Sequence, residues 1–243
     1  MSKDSVQCVW LKRDLRVLDH RPLVEAAARG PVVLLYIVEP EMIEAPDFDG
    51  IHWQFIRQSL VDLQASVREL GGALCIRRGE ATAVLDTLHI EYDFAGLWSH
   101  EETGNAWTFA RDKRVARWAS GAGVTWQEFA HNGVVRGLRD RDGWARVWET
   151  RMAEPLLVVP ESLSSPTPAM ADIEIPTCAA LGLTLEGRAL DLTGGEGEGL
   201  RVLQSFIDER GKRYHREMSS PNQAYKSCSR LSPYLAWGCV SMR

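Results

Sequence analysis

Over its first 130 residues the chain switches repeatedly between two hydrophobic periods. VQCVWL (Val6–Leu11) is a short β-prone run, followed by a charged turn and a helical segment from Pro22 to about Ala28. PVVLLYIV (Pro31–Val38) is a continuous apolar run of the kind buried on both faces of a parallel sheet. Ile51, Phe55, Ile56, Leu60, Leu63, Val67 and Leu70 then recur at helical spacing until Gly71 and Gly72 end the pattern. The alternation continues through ALCIRRG (strand), ATAVLDTLH (helix), YDFAGLWS (strand), AWTFARDKRVARWAS (helix) and GVTWQEF (strand). Strand and helix alternating at this spacing predict an α/β fold with a doubly wound, five-stranded parallel sheet.

The texture changes from Ala153 to Thr193, where five prolines and scattered serines leave no sustained period. Such a stretch predicts an extended connection. After GGEGEG (Gly194–Gly199) a helical pattern resumes, with Leu200, Leu203, Phe206 and Ile207 on one face of a helix starting near Glu198. The glycines invite a phosphate-loop reading, but no strand precedes them, and a flexible run into a helix is the better one. The expected organisation is an α/β domain at 1–135, a connection at 136–195 and the start of a helical domain at 196–243.

Composition adds little to this, and charge adds more. Hydrophobic content of 45% and charged content of 25% are ordinary for a globular protein. No apolar run approaches the roughly 18–20 residues that cross a bilayer, and the N-terminus lacks the apolar core of a signal peptide. Five widely spaced cysteines, with no CxxC pair, suit reduced thiols in a cytoplasm. The net charge is −5, yet from Arg201 onward eight bases face three acids. A basic end on an acidic body suggests that the end meets phosphates.

Candidate chemistry gathers in three places. In WLKRDLRVLDHRPL, after the first strand, Lys12, Arg13 and Arg16 could hold an anion with Asp14 orienting an arginine. Equally, Asp14 and Asp19 could pair with these bases, pin the turn and cap the next helix. After the fourth strand, His100, Glu101 and Glu102 cluster on the same edge, either as acid–base groups or as solvated loop residues. No catalytic triad or metal-ligand spacing accompanies them, and His52, His89 and His131 stand apart. In the terminal YKSCSRLSPYLAWGCVSMR, Ser227, Ser229, Arg230 and Ser232 supply donors ahead of Pro233. They read as a phosphate cradle or as an ordinary N-cap by Ser232.

Three stretches resemble one family. VWLKRDLRVLDHRPLVEA is similar to the opening of photolyases and cryptochromes, and GGEGEGLRVLQSFIDERGKRYHRE to the start of their helical flavin domain. CSRLSPYLAWGCVSMR resembles their flavin-contacting motif and is the most specific of the three. The resemblance implies an α/β domain able to hold an antenna chromophore and a helical domain that binds FAD. By position, Tyr214, Cys228, Ser229, Arg230, Leu231 and Ser232 would lie along the flavin, with Ser229 and Ser232 donating to its pyrophosphate. Cys228 departs from the family's threonine, so a weak thiol donor replaces a hydroxyl. His100, Glu101 and Glu102 match loosely the loop that contacts the antenna, which could be a folate, a deazaflavin or a flavin.

The resemblance further implies a deoxyribodipyrimidine photolyase that splits UV-induced pyrimidine dimers in DNA by electron transfer from photoexcited reduced FAD. The cofactor would carry the chemistry, in keeping with the lack of a protein acid, base or nucleophile among these motifs. Family members are roughly twice this length, so the chain is expected to be a truncated form that by itself does not hold FAD tightly. The full-length protein is expected to be a cytoplasmic monomer acting on UV-damaged DNA, with no membrane partner. The alternatives are a cryptochrome-type blue-light receptor without repair activity, and a stand-alone nucleotide-binding α/β domain.

Overall fold

A computed structural model describes residues 5–166, 174–187 and 191–243. Five parallel strands form one sheet in the order β3-β2-β1-β4-β5. They are β1 (Gln7–Leu11), β2 (Val32–Val38), β3 (Leu74–Arg78), β4 (Gly96–His100) and β5 (Thr125–Phe129). Between them run α1 (Arg21–Ala27), α2 (Pro40–Ile43), α3 (Gly50–Glu69), α4 (Ala81–Tyr92) and α5 (Ala106–Ala122). Every residue of β1 and β2 is buried, as continuous apolar runs require in a sheet covered on both faces.

The pleat divides the core in two. Val9 and Leu11 of β1 join Leu23 of α1 and Trp53, Ile56, Leu60 and Leu63 of α3 on one face. Cys8 and Trp10 join Leu85 and Leu88 of α4 and Val115 of α5 on the other. The sheet is therefore doubly wound, and the strand order reverses between β1 and β4. The crevice beyond their carboxyl ends is where such folds usually take ligands.

The expected connection at 136–195 contains a regular element that its weak apolar pattern does not announce. Helix α6 (Trp144–Ala153) has no buried residue; Trp144 and Trp148 stack on each other and on Gly133 instead. Parts of that stretch, 167–173 and 188–190, lie outside the described residues, as does 1–4. Beyond it come α7 (Glu196–Asp208) and three short helices, α8 (Tyr214–Glu217), α9 (Ala224–Ser227) and α10 (Ser232–Ala236).

The glycines before α7 serve close packing. A Cβ on Gly194 would lie 2.3 Å from the Phe55 carbonyl oxygen, and one on Gly195 2.8 Å from the Asp62 carboxylate. Asp62 of α3 accepts from the Glu196 N–H at 2.8 Å, so α3 caps α7. Helix α7 starts at Glu196, two residues earlier than its apolar face suggests. Val202, Tyr234, Trp237, Cys239 and Val240 complete the core over α3. Among the described residues no helix is long and apolar enough to cross a membrane.

Candidate functional site

The loop after β1 is held by its own protein at almost every polar atom. Arg16 is buried and donates to the carbonyls of Leu18, Asp19 and Gly238, at 3.0, 3.1 and 2.9 Å. The Leu15 N–H donates to the Trp237 carbonyl at 3.0 Å. Glu196 accepts from the amides of Val17 and Leu18 at 2.8 and 2.9 Å. Asp19 accepts from Ser241, Arg243 and the Leu157 amide. At Gly238, with φ of +61°, a Cβ would fall 2.1 Å from the Arg13 carbonyl oxygen. The switch-point crevice is thus filled from Trp237 onward by the chain's own terminal segment.

Asp14 does not orient an arginine. One carboxylate oxygen accepts from the Lys12 amide at 2.7 Å; the other lies 3.0 Å from His20 Nε2 and 2.7 Å from His100 Nδ1. His20 Nδ1 accepts from the Leu23 amide at 3.1 Å, so His20, not an aspartate, caps α1. That bond fixes the tautomer: Nε2 keeps its proton and donates to Asp14. Asp14, His20 and His100 have ligand atoms within 4.8 Å of one another, a grouping their sequence spacing conceals. With Nδ1 of His20 spent on an amide, the set is a hydrogen-bond network and fits a metal poorly. Burial alone would raise the Asp14 pKa, but the two imidazoles hold it well below the usual range. Burial also lowers His100, and it lowers His131, stacked on His100 at 4.7 Å, to about 4.

His100, Glu101 and Glu102 do not converge. His100 faces Asp14, the Glu101 amide extends the β5 pairing to Phe129, and Glu102 turns to the opposite side. There Arg111 donates to Glu39 at 2.7 Å, to Asp112 at 2.8 Å and to Glu102, while Arg13 reaches Glu102 at 3.1 Å. Lys12 lies 3.5 Å from both Asp112 and Glu128. One guanidinium shared by three carboxylates does not offset burial everywhere: Glu39 is pushed up to about 7, whereas Glu102 is lowered by Arg111 and Lys12 against burial. Beside this network a cleft of about 420 Å³ opens between the sheet edge and α10, lined by Phe48, His52, Asn105, Trp107, Pro233 and Trp237.

The terminal motif forms a turn pinned from below. Arg210 donates to the carbonyls of Cys228 and Ser229, at 2.5 and 3.2 Å, and to Val202 at 2.9 Å. Arg230 takes the left-handed backbone, φ +60°, and its guanidinium lies 3.8 Å over the Tyr225 ring. Ser229 Oγ accepts from the Leu231 amide at 3.5 Å. Ser232 is the first residue of α10 and makes no side-chain cap bond, contrary to an N-cap role. Leu231 packs on the core, and Tyr214 meets Phe206 edge-on at 5.8 Å. The six residues do not line one cavity. Arg230 borders a cleft of about 770 Å³ with Arg201, Arg210, Lys226 and Tyr225, while Ser232 borders the 420 Å³ cleft. Arg210 escaped the sequence reading because its partners are main-chain carbonyls, which no side-chain motif signals.

The DNA photolyase family model matches residues 7–141, more than half of the chain. The cryptochrome DASH of Gloeobacter violaceus is 31% identical over 97% of this chain and 51% of its own length. Cryptochrome-2 of Gallus gallus is 29% identical over 96% of this chain and 44% of its own. A bacterial class III photolyase from Agrobacterium tumefaciens superposes with a TM-score of 0.78 at 24% identity, over 99% of this chain and 52% of that one. The Synechocystis cryptochrome gives 0.79 at 18%, over 99% of this chain and 54% of that one. The chain thus spans about half the length of the relatives it matches. With a doubly wound sheet, a match across that sheet and the terminal helices docked at its switch point, the chain belongs to the DNA photolyase family.

Proposed function

We propose that this chain is the antenna-domain half, and the first wall of the flavin site, of a light-dependent DNA photolyase that splits UV-induced pyrimidine dimers. The carrying observation is the Cys228–Ser232 turn. Arg210 fixes its backbone from below, and the Ser232 hydroxyl and Cys228 thiol make no hydrogen bond among the described residues. The guanidiniums of Arg201, Arg210 and Arg230 border the cleft of about 770 Å³ on one side of this turn, and their charge suits a pyrophosphate. Tyr214, Cys228, Ser229, Arg230, Leu231 and Ser232 are assigned to FAD by the likeness of their stretches of sequence to the family's flavin domain. When bound, FAD would supply light absorption and electron transfer; the chain's own residues bind it, orient it and exclude water.

For an antenna, the 420 Å³ cleft is the place we favour over a site built from all of His100, Glu101 and Glu102. Its Phe48, Trp107 and Trp237 rings offer apolar faces, and Glu102 and Asn105 offer polar anchors. The nucleotide-binding reading of Lys12–Arg16 loses its support, because Lys12 and Arg16 are buried and engaged within the protein. A photoreceptor role without repair remains the second reading, favoured by relatives that are themselves cryptochromes.

Two measurements test the proposal. FAD titrated into the chain should quench with saturation, and Ser229→Ala with Ser232→Ala should weaken binding about tenfold, as about 1.4 kcal/mol of lost hydrogen bonding implies. Unchanged binding in the double variant would remove the assignment of these serines. Blue-light repair of a dimer-containing oligonucleotide by the complete protein separates photolyase from photoreceptor; flavin binding with no repair would favour the latter.

A further inference from the structure

Beside the Asp14 network, a cavity of about 110 Å³ opens at the sheet edge that neither the flavin nor the antenna reading uses. Four guanidiniums line it, those of Arg16, Arg21, Arg151 and Arg243, against the two carboxylates of Asp19 and Glu154. Arg16 and Arg243 are fully engaged with carbonyls and carboxylates. Arg21 and Arg151 are not: Arg21 gives one nitrogen to Glu154 at 3.0 Å, and Arg151 gives one to the carbonyls of Asn132 and Val134. Their remaining N–H groups have no protein partner among the described residues.

Two imidazoles complete the wall. His100 donates its Nδ1 proton to Asp14, so its Nε2 is a lone-pair acceptor that can take the P–OH proton of a monohydrogen phosphate. His131 stacks on His100 and makes no hydrogen bond among the described residues. Spare guanidinium donors, an excess of two positive charges and a His131 ring free to donate one N–H around a small space are the chemistry of a tetrahedral oxyanion site. A cavity of about 110 Å³ has room for a phosphate group.

We propose that this cavity binds a phosphate-class oxyanion through Arg21, Arg151 and His131, with Arg16 and Arg243 as the fixed positive field behind it. The site is separate from the Cys228–Ser232 turn, none of whose residues lines it. The ligand is either free phosphate or the phosphate of a larger molecule projecting inward.

The test titrates inorganic phosphate into the 243-residue chain at constant ionic strength set with chloride, reading thermal melting and the His131 ring resonances by NMR. The expected result is a saturable rise in melting temperature and a saturable His131 shift, with a dissociation constant of about 1 mM or tighter. Arg21→Gln should weaken both about tenfold, the size of one charge-assisted contact. The Arg21 side chain is 39% exposed, and melting without phosphate verifies that the variant is folded. His131→Gln should abolish the NMR signal and weaken the melting response. An AMP arm distinguishes the sources: AMP matching phosphate points to a tethered phosphate, and phosphate alone points to the free ion. No saturable response, or one that both variants leave unchanged, overturns the proposal.

Discussion

The Asp14 carboxylate gathers His20 and His100, and His131 stacks behind them, although the sequence spreads these residues over half the chain. The local neighbourhood of Asp14 offered arginines; the sheet offered histidines. β1 pairs with β4, Val9 opposite Trp98, so His100 ends beside the loop that carries Asp14. Pairing between strands that are not consecutive leaves no local mark, which is why His131 read as isolated and Asp14 as an arginine's partner. Burial holds His131 near 4, below its unfolded value near 6.5. A depressed histidine contributes stability that is present above the unfolded pKa and lost as pH falls from about 6.5 towards 4. Glu39, raised to about 7, acts oppositely, since its buried carboxyl is favoured as pH falls. The two are separated by a variant. His131→Gln should lessen the loss of stability between pH 7 and pH 5 by about 1–2 kcal/mol, read from urea unfolding at both pH values. An identical pH slope in the two proteins would count against a neutral, half-buried His131.

Among the elements, those with a continuous or periodic apolar pattern were legible, and α6, which lacks one, was not. β2 and α3 announced themselves through continuous and periodic apolar residues, and their bounds fell within about a residue of Pro31–Val38 and Ile51–Leu70. Helix α6 offers no such stripe, because its tryptophans stack on one another and not on the core. The terminal motif was legible as a cluster of donors, but not as a turn, because Arg210 and the positive φ of Arg230 shape it. Gly238 leaves no room for a side chain against the loop after β1. Gly238→Ala adds a methyl against the Arg13 carbonyl and a positive φ that alanine resists, so a loss of about 2 kcal/mol or more is expected in urea unfolding. Limited proteolysis should then cut between Leu192 and Arg243 faster than in the parent chain. An unchanged midpoint would mean that the terminal segment contributes nothing to the stability of the sheet.

At the scale of the whole molecule, the sheet and the terminal helices share one core. Val202, Tyr234, Trp237, Cys239 and Val240 pack with Leu60 and Leu63 of α3, and Arg16 and Asp19 find partners in Gly238 and Arg243. A chain ending at Thr193 should therefore expose apolar surface, leave Arg16 and Asp19 underpaired, and bind a hydrophobic dye where the parent does not. A soluble, cooperatively melting product with no dye binding would instead restore the stand-alone domain reading.

Main-chain atoms form one side of several bonds that close the switch-point crevice: the carbonyls of Trp237 and Gly238, and the amides of Leu15, Val17 and Leu18. Every amino acid but proline offers the same main-chain N–H and carbonyl, so the residues that supply them can change without altering these bonds. The side chains on which the seam depends are Arg16, Asp19, Glu196, Ser241 and Arg243, with the glycine at 238. A substitution at one of those main-chain positions other than Gly238 should leave the seam's bonds in place, whereas Arg16→Ala or Glu196→Ala removes the bonds of that side chain outright.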